Sequence, residues 1–117
     1  SEVGDISKAI KSLAMELNRP IIVLSQLNRA SEGRQTKEPT MSELRESGDI
    51  EQDASVVMLL WNLSEENERY KGVKVEKNRQ GKTAKFQMEF VGEEMSFKEA
   101  EGKDFDFKPA KEKTPFD

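Results

Sequence analysis

Ile21-Ile22-Val23-Leu24 is the stretch that decides the fold. Four apolar residues in a row, three of them β-branched, read as a strand buried on both faces. Such a strand belongs in the middle of a parallel sheet covered by helices. On its N-terminal side, residues 5–18 (DISKAIKSLAMELN) put Ile6, Ile10, Leu13, Ala14 and Leu17 on one helical stripe, with Lys8, Lys11 and Glu16 outside it. Asp5 is placed to cap this helix. Asn18, ahead of Arg19-Pro20, marks its stop, because the residue before proline avoids helical angles. A helix, a tight turn and a buried strand form half of a βαβ unit, so the class is α/β.

On the C-terminal side, Ser25-Gln26-Leu27-Asn28-Arg29 opens a polar stretch that runs to Thr40 and contains Arg34, Gly33 and Pro39. It has no apolar period, and loops of that length in compact domains are usually functional or disordered. Residues 41–54 predict a short helix interrupted at Gly48, and Ser55 to Trp61 a second buried strand. Gly72 to Asn78 and Ala84 to Val91 both alternate, with a turn at Gln80-Gly81 between them. They predict an antiparallel hairpin with one wet face. From Glu99 onward charges, Pro109 and Pro115 dominate, so 99–117 reads as a flexible charged tail and 1–98 as the folded portion.

The 117 residues suffice for one domain, and with 34% hydrophobic and 36% charged residues its core is expected to be thin. No run of about 18 apolar residues is present, which excludes a helical membrane span, and the N-terminus lacks the order of a secretory signal. Cysteine and histidine are both absent. Disulfide frameworks, thiolate nucleophiles and the usual neutral-pH base are therefore excluded, and no set of metal ligands is visible. The composition fits a soluble cytoplasmic protein whose chemistry uses carboxylates, Lys, Arg, Gln, hydroxyls or a bound nucleotide. The net charge of -4 predicts no bulk affinity for a polyanion. Yet Glu68 to Lys85 holds seven basic residues against two acidic ones, which is either a solvated strand face or a phosphate site. Gly81-Lys82-Thr83 imitates the end of a P-loop, but the required earlier glycine is Glu76 and a strand pattern follows, so the likeness is a decoy.

Three constellations remain, each with a bland reading beside the functional one. Gln26, just past the end of a buried strand, either caps that strand or hydrogen-bonds a phosphate oxygen or a water. Arg45-Glu46-Ser47-Gly48 is either an ordinary turn or a place where backbone approaches a phosphodiester. Lys77 and Arg79, two apart on a strand and hence on one face, are either an exposed strand face or a grip for a triphosphate.

Taken together, Ser25–Arg29, Leu44–Gly48, Ile50–Ala54 and Lys77–Gly81 occur in the order and spacing of one family. From about Ile6 to Phe97 the sequence resembles the C-terminal half of the RecA-like motor domain of the DnaB family of replicative DNA helicases. The resemblance implies a partial RecA-like, P-loop NTPase-type sheet flanked by helices and ending in an antiparallel hairpin. It implies that Gln26 is the γ-phosphate sensor and that Asn28 to Leu44, with Arg29 and Arg34, lines a DNA channel. It also implies that Arg45, Glu46 and Gly48 touch single-stranded DNA, and that Arg79 is an arginine finger with Lys77 as its companion cation. The implied ligands are ATP and Mg2+. The implied partners are single-stranded DNA, neighbouring subunits of a homohexamer, primase and a helicase loader, with no membrane.

Two departures qualify this. Asp49 adds a negative charge beside the DNA contact, where the family often has a small polar residue. The P-loop, the catalytic glutamate and the magnesium-binding aspartate would all lie before Ser1. The chain is therefore expected to be part of an ATP-dependent 5′-to-3′ helicase that cannot hydrolyse ATP alone, with exposed apolar flanks where its sheet neighbours are lacking. A non-enzymatic fragment that binds single-stranded DNA or a helicase interface stays open, as does, less favourably, a recombination-type RecA relative.

Overall fold

An apolar run at 56–61 and the alternating stretches that follow it from residue 72 produce a four-stranded meander. The computed structural model describes residues 2–27, 38–44, 47–64 and 66–100. The strands are β1 (Val56–Asn62), β2 (Tyr70–Asn78), β3 (Ala84–Val91) and β4 (Ser96–Glu99), paired antiparallel in the order β1-β2-β3-β4. Two helices accompany the sheet, α1 (Glu2–Leu17) and α2 (Ser47–Asp53), with a 3-10 turn at Met41–Glu43. The expected tail lies outside the described residues from 101 onward. None of the described helices is long and apolar enough to cross a membrane.

Helix α1 starts at Glu2, so Asp5 is not its cap but lies in the first turn, where acidic side chains suit the positive end of the helix dipole. The stop is where the sequence places it. Asn18 takes the left-handed conformation (φ 53°), and the amides of Arg19 and Asn18 donate to Ala14 and Met15 at 3.1 and 3.2 Å. This double closure satisfies carbonyls that the helix end leaves open. The apolar stripe is less covered than expected. Ile6, Leu13 and Leu17 stay about half exposed, because α1 meets α2 at Ser7 and Lys8 rather than along the apolar stripe.

The largest departure concerns Ile21–Leu24. The segment joins no ladder, and Ile22 and Leu24 are 90% and 93% exposed. A strand exists only by hydrogen bonding to neighbours, and no described strand lies beside this one. Strand β1 also departs from expectation. Val57, Leu59 and Trp61 are buried, but Val56, Met58 and Leu60 on the other face are about half exposed. The helix expected over 41–54 is broken before Gly48, not at it: the 3-10 turn ends at Glu43, and α2 restarts at Ser47 with Gly48 in its first turn.

The hairpin forms as expected, with Tyr70↔Glu89 through Val75↔Ala84 in register. Its turn follows Asn78, whose carbonyl accepts from the Gly81 amide at 3.2 Å and whose side chain donates to the Lys82 carbonyl. The hairpin has no fully wet face: Val73 is 1% exposed on one side, and the lysine side is covered as well. Register pairs Leu59 with Lys74 and Lys74 with Lys85, so these lysines share a face with the core residues of β1 and lie under the 38–44 segment. One irregularity redirects the end of β2. Met58 pairs with Val75 and Val57 with Lys77, which leaves Glu76 as a bulge residue without a partner across the ladder. A bulge re-aims the side chains that follow it, and here it turns Lys77 to the face of Val57.

Leu44, Val57 and Leu59 form the core cluster, with Leu27, Met41, Ile50 and Ala54 packed against it. It is small, as the composition implied.

Candidate functional site

The core cluster is the common anchor of the expected site residues. Leu27 follows Gln26, Leu44 precedes Arg45, Ile50 belongs to α2, and Val57 is the register partner of Lys77. Four apolar side chains in one cluster therefore fix four pieces of backbone that the sequence singled out. Arg29, Arg34, Arg45 and Glu46 themselves lie outside the described residues.

Gln26 is exposed, with Leu27 beside it docked on the core. It does not follow a laddered strand, since Ile21–Leu24 is unpaired, so its expected place at the rim of a parallel sheet is not formed within the described residues. Gly48 lies in the first turn of α2, and a Cβ built there would meet nothing within 4 Å. Internal packing does not demand this glycine, and the space beside it is open. Asp49, the acidic departure, is met by Lys8 of α1 at 3.5 Å, so its charge is not bare.

Lys77 and Arg79 converge on the other end of the same helix. Lys77 Nζ donates to the Glu51 carbonyl, and Arg79 Nη2 donates to the Gln52 carbonyl at 3.3 Å. The Arg79 amide is fixed separately, donating to the Ser55 carbonyl at 2.9 Å. Arg79 is not a strand residue, as expected from spacing, but the first residue of the turn after β2. The bulge and the turn together, rather than simple alternation, bring the two cations to one place. Carbonyls at a helix C-terminus carry partial negative charge and favour cations. Helix α2 has no basic residue in its own last turn, so the hairpin supplies them. At that end Asp53, acidic where acid is unfavourable, accepts from Ser7 Oγ at 2.7 Å and lies 3.8 Å from Lys8. One seven-residue helix thus joins the glycine of the Arg45–Gly48 motif to the cation pair.

The acceptors sort the basic stretch. Arg69 is held by Glu89 and Glu93 at 3.2 and 3.6 Å. Lys74 and Lys85 are held by Glu38 at 3.3 and 3.1 Å. Lys77 and Arg79 rest on neutral carbonyls. An ionised acceptor attracts a cation more strongly than a neutral carbonyl does, so a phosphate displaces a carbonyl more readily than a carboxylate. Lys71 likewise donates to a neutral group, the Asn62 amide oxygen, but Lys77 and Arg79 are the two of these cations that meet at one helix end.

Glu38 is a site residue that the sequence reading missed; it looked like one more polar residue in a long loop. Burial alone would raise its carboxyl, but the Lys85 hydrogen bond and the charges of Lys74 and Lys85 outweigh burial and hold it below the usual carboxylate range. A group that titrates lower in the folded state binds fewer protons there. Its stabilisation is therefore complete above its ordinary value of 4.5 and is lost as the pH falls through the folded value. Glu38→Gln is expected to lower the urea midpoint at neutral pH and to change it much less well below pH 4.5. Midpoints lowered equally in both conditions would contradict an ionised Glu38.

Among the described residues no group of three acidic, histidine or cysteine side chains is arranged to hold a metal ion. Gly81-Lys82-Thr83 lies between antiparallel strands, not before a helix, so it is no phosphate cradle. These residues fit neither a magnesium site nor a nucleotide pocket; what they offer is cations and a glutamine at a surface.

Sheet and helices together align with RecA-like helicase ATPase domains. The structure matches one solved ATPase domain with a TM-score of 0.72 and 36% identity, covering 85% of this chain and 37% of that one. It matches a DnaB-like replicative helicase, described with its interactions with primase, at the same TM-score and identity, covering 85% and 25%. The DnaB-like helicase C-terminal domain family matches residues 1–99, and the chain belongs to that family. It is 44% identical over 101 residues to the replicative DNA helicase DnaB of Geobacillus stearothermophilus (82% of this chain, 22% of the relative). To that of Pasteurella multocida it is 43% identical over 97 residues (79% and 21%). The chain thus spans about a fifth of the length of these relatives.

Proposed function

We propose that this chain is one part of the motor of an ATP-driven, hexameric, 5′-to-3′ replicative DNA helicase, supplying the phosphate sensor, the DNA-facing loop and the arginine finger. The observation that carries this reading is the pair Lys77 and Arg79, held only by neutral carbonyls on the helix that carries Gly48. Arg79 would leave Gln52 to neutralise charge on a phosphoryl group bound by the adjacent subunit, with Lys77 beside it. Gln26 would hydrogen-bond a phosphate oxygen or the attacking water. Arg29, Arg34, Arg45, Glu46 and Gly48 would meet the strand. ATP and its Mg2+ would be held mostly by residues outside this chain. The unpaired Ile21–Leu24 and the bare side of β1 support the same view: both are apolar surfaces suited to cover by the rest of a larger sheet. In the full-length protein the partners are single-stranded DNA, adjoining subunits, primase and a loader, in the cytoplasm.

Purified chain given ATP, Mg2+ and an oligothymidylate strand is expected to show no turnover above background, and appreciable hydrolysis would overturn the division of labour proposed here. In a full-length protein carrying the segment, Arg45→Ala is expected to weaken single-strand binding and to flatten its salt dependence by about one counterion, ~0.7 in the logarithmic slope. An unaltered slope would remove Arg45 from the phosphate contacts.

A further inference from the structure

Lys74 and Lys85 face each other across β2 and β3, and their side chains are only 15% and 17% exposed. Like charges directly opposite on a sheet repel, and burying them is costly without a counterion. Glu38 provides one for both. Lys85 Nζ lies 3.2 and 3.1 Å from its two oxygens, and Lys74 Nζ 3.3 Å from Oε1. Lys74 also donates to the carbonyl of Pro39, a fully buried residue, at 2.7 Å. Its third contact is Glu76 at 3.0 Å, the bulge residue that turns Lys77 toward α2.

The hairpin therefore grips the chain on both sides of the Arg45–Gly48 motif. Before the motif, Lys74 and Lys85 hold Glu38 and Pro39; after it, Lys77 and Arg79 hold the end of α2. The two grips share β2 and meet at the bulge.

Resting on the proposed helicase reading, we infer that Glu38 is a positioning residue. Its clamp on Lys74 and Lys85 fixes the stem of the DNA-facing segment to the hairpin that presents Lys77 and Arg79, so that strand engagement and finger placement move together. The coupling runs Glu38, Lys74, Glu76, Lys77, each in contact with or next to the last.

A charge-swap cycle in the full-length protein tests this. Lys85→Glu sets two carboxylates against each other, and Glu38→Lys gathers three ammonium groups; either opens the clamp. Each single change is expected to cut the stimulation of ATP turnover by an oligothymidylate strand about five- to tenfold, at the low end of usual coupling between sites. Lys85→Glu should leave strand-free turnover within about twofold and the KM for ATP unmoved, a split that general destabilisation would not give. The double variant Glu38→Lys/Lys85→Glu restores the pair and should recover most of the stimulation. Undiminished stimulation in the singles, equal loss of basal and stimulated turnover, or a double variant no better than the singles, through misfolding or otherwise, would overturn the inference. Arg79→Ala in the same assay separates the two levels. If it leaves turnover intact, the finger reading fails; if it abolishes turnover while the clamp variants stay fully stimulated, only the role of Glu38 fails.

Discussion

Replacing Arg79 with alanine in a full-length protein that carries this segment is expected to lower DNA-stimulated ATP turnover by ~10³-fold or more, with nucleotide affinity changed only a few-fold. The expectation comes from how Arg79 is held. Its backbone is pinned by the hydrogen bond that its amide donates to the Ser55 carbonyl, while its guanidinium has one long hydrogen bond to the Gln52 carbonyl at 3.3 Å. Giving up an exposed, long bond from a guanidinium to a neutral carbonyl costs no more than ~1.5–3 kcal/mol. A phosphoryl group developing charge in a water-poor interface returns more than that. Arg69, locked between Glu89 and Glu93, could not make the same exchange cheaply. Steady-state turnover with and without an oligothymidylate strand, alongside binding of a fluorescent nucleotide, reads the result. Turnover that survives the substitution would contradict the assignment.

The second large effect falls on the fold. Gly72 stands opposite Trp61 in the β1–β2 register, and the indole lies across it. A Cβ at Gly72 would overlap ring atoms Cζ2 and Cε2 and stand 2.7 Å from Cη2. Trp61 is 8% exposed, so moving the ring off Gly72 disturbs buried packing. Gly72→Ala is expected to destabilise the domain by ~1–3 kcal/mol, the usual cost of overpacking, or roughly 4–8 °C in Tm per kcal/mol for a domain of this size. Trp61 is the only tryptophan, so its fluorescence reports the sheet directly. Trp61→Leu/Gly72→Ala should lose less than the two single changes added, because the clash disappears with the ring. An unshifted midpoint for Gly72→Ala would mean that the ring does not cover Gly72.

Local chemistry was legible wherever it acts within a few residues. Asn18 before Arg19-Pro20 stops α1, and the alternation around Gln80-Gly81 makes the β2–β3 hairpin, because turn residues and period-2 patterning are properties of the segment itself. What depends on neighbours was not legible. Ile21–Leu24 has the composition of a central strand, but its pairing belongs to strands beside it, which composition cannot provide. The exposed side of β1 has the same cause. The bulge at Glu76 was invisible because it arises from a register mismatch between two strands, and without it Lys77 would face the other way. The short β4 was missed as well: Ser96–Glu99 holds one large apolar residue, Phe97, whose partner Phe90 is known only once the ring centroids are seen 5.0 Å apart. Glu38 was missed for a third reason. Its role needs two lysines that lie 36 and 47 positions away in the chain.

In the proposed cycle Arg79 changes partner, and a structure of the assembled full-length protein with a non-hydrolysable ATP analogue and single-stranded DNA measures that change directly. At nucleotide-filled interfaces the Arg79 guanidinium should lie within hydrogen-bonding reach, ~2.7–3.2 Å, of the terminal phosphate held by the adjoining subunit, released from the Gln52 carbonyl. Arg79 still bonded to Gln52 of its own subunit at every filled interface would contradict it.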